Sequence, residues 1–82
     1  MYYKIKDNVD LSVLEKYGYE RVGSIKSYAK ETDDIGVCIL FNRVIAYYYL
    51  PYKTFVCFLK KSNKQHIKDL INAGLVEEVN DD

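Results

Sequence analysis

The chain has 82 residues, 49% of them hydrophobic and 29% charged, and its 12 basic and 12 acidic side chains give a formal net charge of zero. This length predicts one domain with a modest core, and the composition is that of a soluble globular domain rather than a disordered or fibrous chain. The longest apolar run is too short for a bilayer span and Met1–Asp7 lacks the apolar core of a signal peptide, so we expect a cytoplasmic protein with no membrane association.

The first third of the chain predicts a strand followed by a short helix. Tyr2–Lys6 alternates polar and apolar residues as a strand does, and Asp7-Asn8 ends it. Asp10 is a suitable N-cap for a helix that Gly18 would end in the left-handed conformation. Within that helix Leu11, Leu14 and Tyr17 would share the buried face.

The middle of the chain predicts a series of antiparallel strands joined by short turns. Gly23 marks a bulge or bend within the first extended segment, and Asn42-Arg43 suits a tight hairpin turn. The predicted extended segments are Tyr19–Glu31, Ile35–Phe41, Val44–Leu50 and Thr54–Leu59.

The last third predicts a second helix and a closing strand. Ser62 would be its N-cap and Gln65 would complete a capping box, while Ile67, Leu70 and Ile71 form the apolar stripe. Ala73-Gly74 would end the helix before a strand at Leu75–Val79. We therefore predict a single α+β domain over residues 1–82, with a frayed acidic end at 80–82. Its order is β-α-β-β-β-β-α-β, with a four- to five-stranded antiparallel meander and two short helices.

Three assumed hairpin loops, at 33–34, 42–43 and 51–53, assign every strand residue to a sheet face. One face would collect Val37, Ile39, Phe41, Val44, Ala46, Tyr48, Val56 and Phe58, and we expect it to be the core. The other would carry Ala29, Cys38, Leu40, Ile45, Tyr47, Tyr49, Phe55, Cys57 and Leu59. Both faces are apolar.

The second face is the predicted docking surface, since two short helices can cover one face of such a sheet but hardly two. We expect Tyr47, Tyr49, Leu40 and Phe55 to bind a protein partner there, either another protein or a second copy that makes a homodimer. The alternative left open is that the helices divide between the faces, or that the sheet curls on itself.

Chemically reactive side chains are few. Cys38 and Cys57 lack CxxC spacing and would lie too far apart for a disulfide, and with His66 they do not complete a zinc site. Cys57, His66 and Asp69 are the residue types of a thiol nucleophile, its base and an orienting group, but nothing places the cysteine beside the other two. We expect no enzyme activity, no catalytic residues, no metal and no cofactor.

The alternative partner is nucleic acid. Between Ile35 and Lys68 there are six basic residues and no acidic one. Lys60, Lys64 and Lys68 recur every four residues, so with Lys61 they would form a positive ridge beside exposed aromatic rings, as in binding of single-stranded nucleic acid. The neutral chain argues against this alternative.

Two segments carry a resemblance to known proteins. Val9–Tyr19 (VDLSVLEKYGY) and Asp69–Glu77 (DLINAGLVE) resemble segments of small uncharacterised proteins from phages and prophages of low-GC Gram-positive bacteria. That resemblance implies a setting in which small non-enzymatic proteins often bind and modulate a host protein. Inhibition of a host defence system, such as an anti-CRISPR activity, is compatible with that setting but is not singled out.

Overall fold

The computed structural model describes residues 1–23, 27–32, 35–50 and 56–80, with the backbone alone at 56, 57, 61 and 62. Within these residues seven strands and two short helical segments confirm the predicted α+β class. The first helix is a 3-10 helix (Leu11–Tyr17), and the second is a 3-10 turn (Lys61–Ile67) that continues as an α-helix (Lys68–Asn72). The strands are β1 (Tyr2–Ile5), β2 (Glu20–Val22), β3 (Ser27–Glu31), β4 (Ile35–Ile39), β5 (Ile45–Tyr49), β6 (Val56–Phe58) and β7 (Val76–Val79).

The strands form two antiparallel sheets. β2 to β6 make a five-stranded meander in chain order, and β1 pairs with β7. The extended segment predicted over 19–31 is two strands rather than one, and Gly23, at φ +64°, lies at the predicted bend. A bridge between Lys4 and Val44, with a 2.9 Å hydrogen bond from the Ile5 amide to the Arg43 carbonyl, joins β1 to the start of β5.

Two of the three predicted hairpin registers are confirmed. In the β3–β4 pair Ala29 lies opposite Cys38, and in the β5–β6 pair Tyr47 lies opposite Cys57, as the assumed loop lengths require. The predicted turns at 33–34 and 51–53 themselves lie outside the described residues. The prediction for the β4–β5 hairpin is wrong by one residue, because Ile39 pairs with Ile45.

The β4–β5 loop has three residues, 41 to 43, instead of two. Arg43 is in the left-handed region at φ +76°, and a left-handed third residue is typical of three-residue hairpins. Its guanidinium Nη1 donates to the carbonyls of Lys6 (2.9 Å) and Val9 (2.6 Å), so bonds to a distant segment stabilise this backbone conformation. The sequence pattern of the hairpin alone contains no sign of those bonds.

The one-residue shift places the side chains of β5 and β6 on the opposite sheet faces from those predicted. Val37 and Ile39 are in the core as predicted, but their partners there are Tyr47 and Ile45. Ala46, Tyr48 and Phe58, predicted for the core face, lie on the opposite face. The expectation that Tyr48 points to the core, with Tyr47 and Tyr49 on the second face, is therefore reversed.

The first helix is bounded as predicted, although it is 3-10 rather than α. The Asp10 carboxylate accepts from the Ser12 amide at 3.0 Å, and Gly18 ends the helix at φ +89°. Leu11, Leu14 and Tyr17 are spaced by three residues, which aligns them on one side of a 3-10 helix. Leu14 is fully buried and the other two pack against the core.

The second helix differs from the prediction at its start. Its N-cap is Lys60 rather than Ser62, without a side-chain capping bond, so the predicted box with Gln65 does not start the helix. The reason is that buried Leu59 still hydrogen-bonds to Ile45, and the helix follows directly after that last sheet contact. Gly74, at φ +75°, follows the C-cap as predicted.

The core lies between one face of the five-stranded sheet, the two helices and the β1–β7 pair. Ile71 was predicted to join Ile67 and Leu70 there, but it is 37% exposed, since the buried side of this helix passes through Ile67 and Leu70, three residues apart. The buried cluster consists of Tyr3, Ile5, Leu14, Tyr19, Tyr28, Val37, Ile39, Ile45, Leu59, Ile67 and Leu70.

Candidate interaction face and polar hollow

The face of the five-stranded sheet that points away from this core is called the outer face here. Small residues form the central cross-strand row of this face. Neither helix contributes a buried residue to the face within the described part of the chain. Ala46 on this row is buried and Cys38 is half-buried. The outer face consists of Ala29, Cys38, Ala46, Tyr48 and Phe58.

Tyr48 covers the middle of the outer face. Its ring lies over Gly36, its cross-strand partner, so closely that a Cβ at position 36 would lie 2.5 Å from Cε2 of the ring. The Tyr48 hydroxyl donates to the Glu31 carboxylate at 2.9 Å. Burial and this carboxylate raise the pKa of Tyr48 to about 12, so the hydroxyl keeps its proton at physiological pH.

Two open features flank Tyr48 on this face. On one side Phe58 is 57% exposed, and its ring lies 5.9 Å from the ring of Tyr2, centroid to centroid. On the other side a groove of about 650 Å³ extends toward β2, lined by exposed Val22 with Ala29 and Tyr48 and also by the charged residues Glu20, Arg21, Lys30 and Glu31. The outer face therefore presents an aromatic pair at one end of its row of small residues and a groove of mixed charged and apolar lining at the other.

The predicted docking residues that the structure describes do not all share one face. Tyr47 packs partly against the core, and Tyr49 beside it is 56% exposed, with the two rings edge-on at 5.5 Å. Leu40 pairs with Val44 and so falls on the opposite face from Tyr47. Phe55 lies outside the described residues. Phe58 was missed as a surface residue because the one-residue register error assigned it to the core.

The lysine ridge is also altered by where the helix begins. Lys60, Lys64 and Lys68 are all exposed, as predicted. Lys60 is the N-cap residue in an extended conformation, so of these three lysines Lys64 and Lys68 lie within the helix. Lys64 and Lys68 line a shallow depression of about 370 Å³ with Ile71, whereas the side chain of Lys61 lies outside the described structure.

A polar hollow of about 310 Å³ lies between the sheet and the second helix. His66 and Asp69 both line it, whereas the side chain of Cys57, the third residue considered for thiol chemistry, lies outside the described structure. Instead Tyr19 and Lys30 complete the polar wall. Neither Tyr19 nor Lys30 was predicted to line a site. The local signal for Tyr19 is the helix end at Gly18, after which the chain turns inward.

Lys30 is the best-connected polar group of this hollow. Its Nζ donates to the Tyr17 carbonyl at 2.8 Å and lies 3.5 Å from the Asp69 carboxylate. The same ammonium is 5.4 Å from the centroid of the Tyr19 ring, within the range of a cation–π contact. These contacts connect Lys30, on β3, to the end of the first helix and to the second helix.

The Tyr19 hydroxyl is buried without a hydrogen-bond partner among the described residues. The residue is only 2% exposed, and burial together with the charge of Asp69 raises the pKa of its phenol strongly. The hydroxyl is therefore a neutral group that both donates and accepts, near a carboxylate that does not bond to it.

No group of three or more metal-binding side chains occurs among the described residues, and no helix there has the length and apolar character of a bilayer span. No family model, curated protein or solved structure matches the chain. Any functional conclusion therefore rests on the residues and geometry of this chain.

Proposed function

We propose that this protein is a small non-enzymatic interaction module that binds another protein through the outer face of its five-stranded sheet. The observation that carries the proposal is the exposure of Phe58 beside Tyr2 at one end of a face to which neither described helix contributes a buried residue. Contiguous exposed apolar surface is a typical mark of a protein-binding site.

The composition of the outer face supports a protein as the ligand. Its row of small residues gives a flat floor, with the aromatic pair of Phe58 and Tyr2 at one end and a groove of mixed charged and apolar lining at the other. Aromatic residues are enriched in the buried centres of protein interfaces and supply much of the binding energy there. Phe58 is the residue we expect to be buried most completely in the complex.

The phage-type resemblance of the two terminal segments supports a bacterial host protein as the partner. The proteins it resembles come from a setting in which small proteins bind and modulate host factors, and interference with a host defence system belongs to the same proposal. A second copy of the chain is the other occupant that an apolar sheet face admits, and it would make the protein a homodimer.

Affinity capture from the lysate of a low-GC Gram-positive bacterium tests the proposal. We expect one protein to be retained in amounts that nuclease treatment and a wash at raised salt leave unchanged, because apolar contacts are little affected by counterions. Nucleic-acid binding through Lys60, Lys64 and Lys68 would instead give an eluate rich in DNA or RNA that is lost between low and moderate salt. That result would replace the proposal with the alternative.

Solution mass by sedimentation separates the two protein occupants. A monomer at micromolar concentration leaves the outer face free for a different protein. A dimer that becomes monomeric on Phe58→Glu substitution would assign the face to a second copy.

A further inference from the structure

Strand β7 leaves one edge of the smaller sheet open. The Lys6 amide donates to the Leu75 carbonyl at 2.9 Å, which fixes the alternation of hydrogen bonds along the antiparallel β1–β7 ladder. Positions 77 and 79 bond to β1 in the same way, because they follow Leu75 by two and four residues. The main-chain N–H and C=O groups of Val76 and Glu78 therefore point away from β1.

The opposite side of β1 agrees with this alternation. Ile5, the partner of Val76, donates its amide to the Arg43 carbonyl at 2.9 Å, on the side away from β7. No described strand pairs with the open side of β7. β7 has four residues, against three each in β2 and β6 at the edges of the larger sheet. An unpaired row of N–H and C=O groups is a template on which a further strand can add.

The open edge continues the outer face. Side chains alternate along a strand, so Glu77 and Val79 lie on the same side of the β1–β7 pair as their partners Lys4 and Tyr2. The Tyr2 ring is 5.9 Å from the ring of Phe58, which joins this side of the smaller sheet to the outer face. A strand added to β7 would therefore lie beside the proposed interaction surface.

The edge carries negative charge. The side chain of Glu77 is 43% exposed and lies 3.7 Å from the Lys4 ammonium. Glu78 is exposed on the other side of the strand, where burial and this carboxylate together raise the pKa of the Tyr3 phenol. From Asp69 to the last residue of the sequence there is no basic side chain. The open edge therefore favours a cationic partner.

These charges disfavour a second copy of the chain as the occupant. New hydrogen bonds must join outward-facing positions, so two copies of β7 can overlap by three strand residues in two antiparallel registers. One register places Val76 opposite Glu78, which brings Glu77 opposite the same residue of the second copy. The other places Glu78 opposite itself. Like charges directly opposite each other are destabilising, whereas opposite charges there are stabilising.

We propose that the open edge of β7 binds an extended segment of the protein partner by strand addition, and that this segment carries two adjacent basic residues flanked by apolar ones. The basic residues face Glu77 and Glu78, and the apolar residues lie beside Val76 and Val79. Main-chain hydrogen bonds to Val76 and Glu78 hold the segment. The inference rests on the proposed function in that it takes the ligand to be a protein.

Amide NMR with two blocked hexapeptides, Thr-Val-Lys-Lys-Val-Thr and Thr-Val-Glu-Glu-Val-Thr, tests this proposal. We expect the lysine peptide to give saturable shifts concentrated at residues 76–80, and the glutamate peptide to bind about 10-fold more weakly or less, because its charges oppose those of the edge. Saturable shifts at these residues with neither peptide would overturn strand addition. Equal affinity for the two peptides would overturn the charge preference.

Main-chain bonding is tested separately from charge. Glu78→Gln removes the charge and keeps the amide, and Glu78→Pro also removes the outward-facing amide without touching a bond to β1. Glu78→Pro should therefore bind the lysine peptide about 5- to 10-fold more weakly than Glu78→Gln, as expected for one lost hydrogen bond. Glu20→Gln, which removes an exposed acid from β2, is the control and should bind as the native chain does.

A modified peptide keeps the test independent of how the variants fold. Methylation of the main-chain nitrogens of the first lysine and the second valine, which would face Glu78 and Val76, should weaken binding to the native chain at least 10-fold. Unchanged affinity would show that charge alone attracts the peptide and would contradict strand addition. The peptides report on the edge without the captured partner, so this inference can fail while a partner still requires Phe58, and failure of the capture leaves the peptide result in place.

Discussion

Replacing Gly36 with alanine tests the β4–β5 register and the covering of the outer face by Tyr48 together. The added Cβ would contact the Cζ atom of the Tyr48 ring and lie 2.6 Å from its hydroxyl oxygen, so the ring has to move away. That movement breaks the hydrogen bond to Glu31, worth about 1 kcal/mol. It also uncovers on the order of 50 Å² of apolar surface, worth about another 1 kcal/mol at roughly 25 cal/mol per Å².

The opposing term is the backbone entropy of glycine, since alanine in a strand is favoured over glycine by about 0.5–1 kcal/mol when nothing clashes. The net effect of Gly36→Ala should therefore be a loss of about 1–1.5 kcal/mol in the free energy of unfolding. In a Tyr48→Ala background the clash is gone, and the same substitution should stabilise by about 0.5–1 kcal/mol. The coupling between the two positions is then about 2 kcal/mol.

Urea unfolding followed by circular dichroism, on the four proteins of this double-mutant cycle, measures the coupling. A second cycle between Gly36 and Tyr49 is the control, because a two-residue loop would have placed Tyr49 opposite Gly36. We expect coupling below about 0.5 kcal/mol there. Coupling to Tyr49 instead of Tyr48, or to neither, would refute the three-residue loop and the assignment of the outer face.

Three further predictions follow from single contacts. Arg43→Ala removes both hydrogen bonds of the guanidinium and should destabilise the protein by about 2–3 kcal/mol. Arg43→Gly should lose less stability, because glycine relieves the left-handed backbone. Urea unfolding in which the Gly variant is less stable than the Ala variant would contradict this. Asp10→Ala removes the cap on the Ser12 amide and should cost about 1 kcal/mol, while Asp10→Asn should retain most of the stability, and thermal unfolding of the pair checks it. Because the Tyr48 pKa is raised from 10.0 to about 12, its contribution to stability is complete below pH 10 and is lost as the pH rises toward 12. Tyr48→Phe should therefore flatten the alkaline limb of stability against pH, and an unchanged limb would show that Glu31 does not hold the phenol.

The features that were predictable from the sequence are those fixed by local chemistry. Asp10, Gly18 and Gly74 mark helix ends through their own side chains or backbone freedom, and the structure uses all three in those roles. Apolar runs bounded by turn residues likewise located most of the strands. Such signals act over a few residues, so they are present in the sequence itself.

The features that were not predictable depend on distant contacts. The register of β4–β5 is stabilised by Arg43 binding carbonyls more than thirty residues away, and this one residue decides which tyrosines face the core. The polar hollow similarly joins Lys30 to Asp69 across 39 positions in the chain. Because side chains alternate between sheet faces, a single slipped residue was enough to misplace Phe58.

The most direct measurement of the central proposal compares Phe58→Glu with Phe41→Glu in binding to the captured partner. Both are exposed phenylalanines, at 57% and 71%, but Phe58 lies on the outer face and Phe41 in the β4–β5 loop. If the outer face binds, Phe58→Glu should lower the affinity at least 30-fold, consistent with about 2 kcal/mol for an aromatic residue at an interface centre. Phe41→Glu should bind within about twofold of the native chain, since rim or uninvolved positions contribute little. Equal affinity of the two variants would contradict the proposal that this protein acts through the outer face.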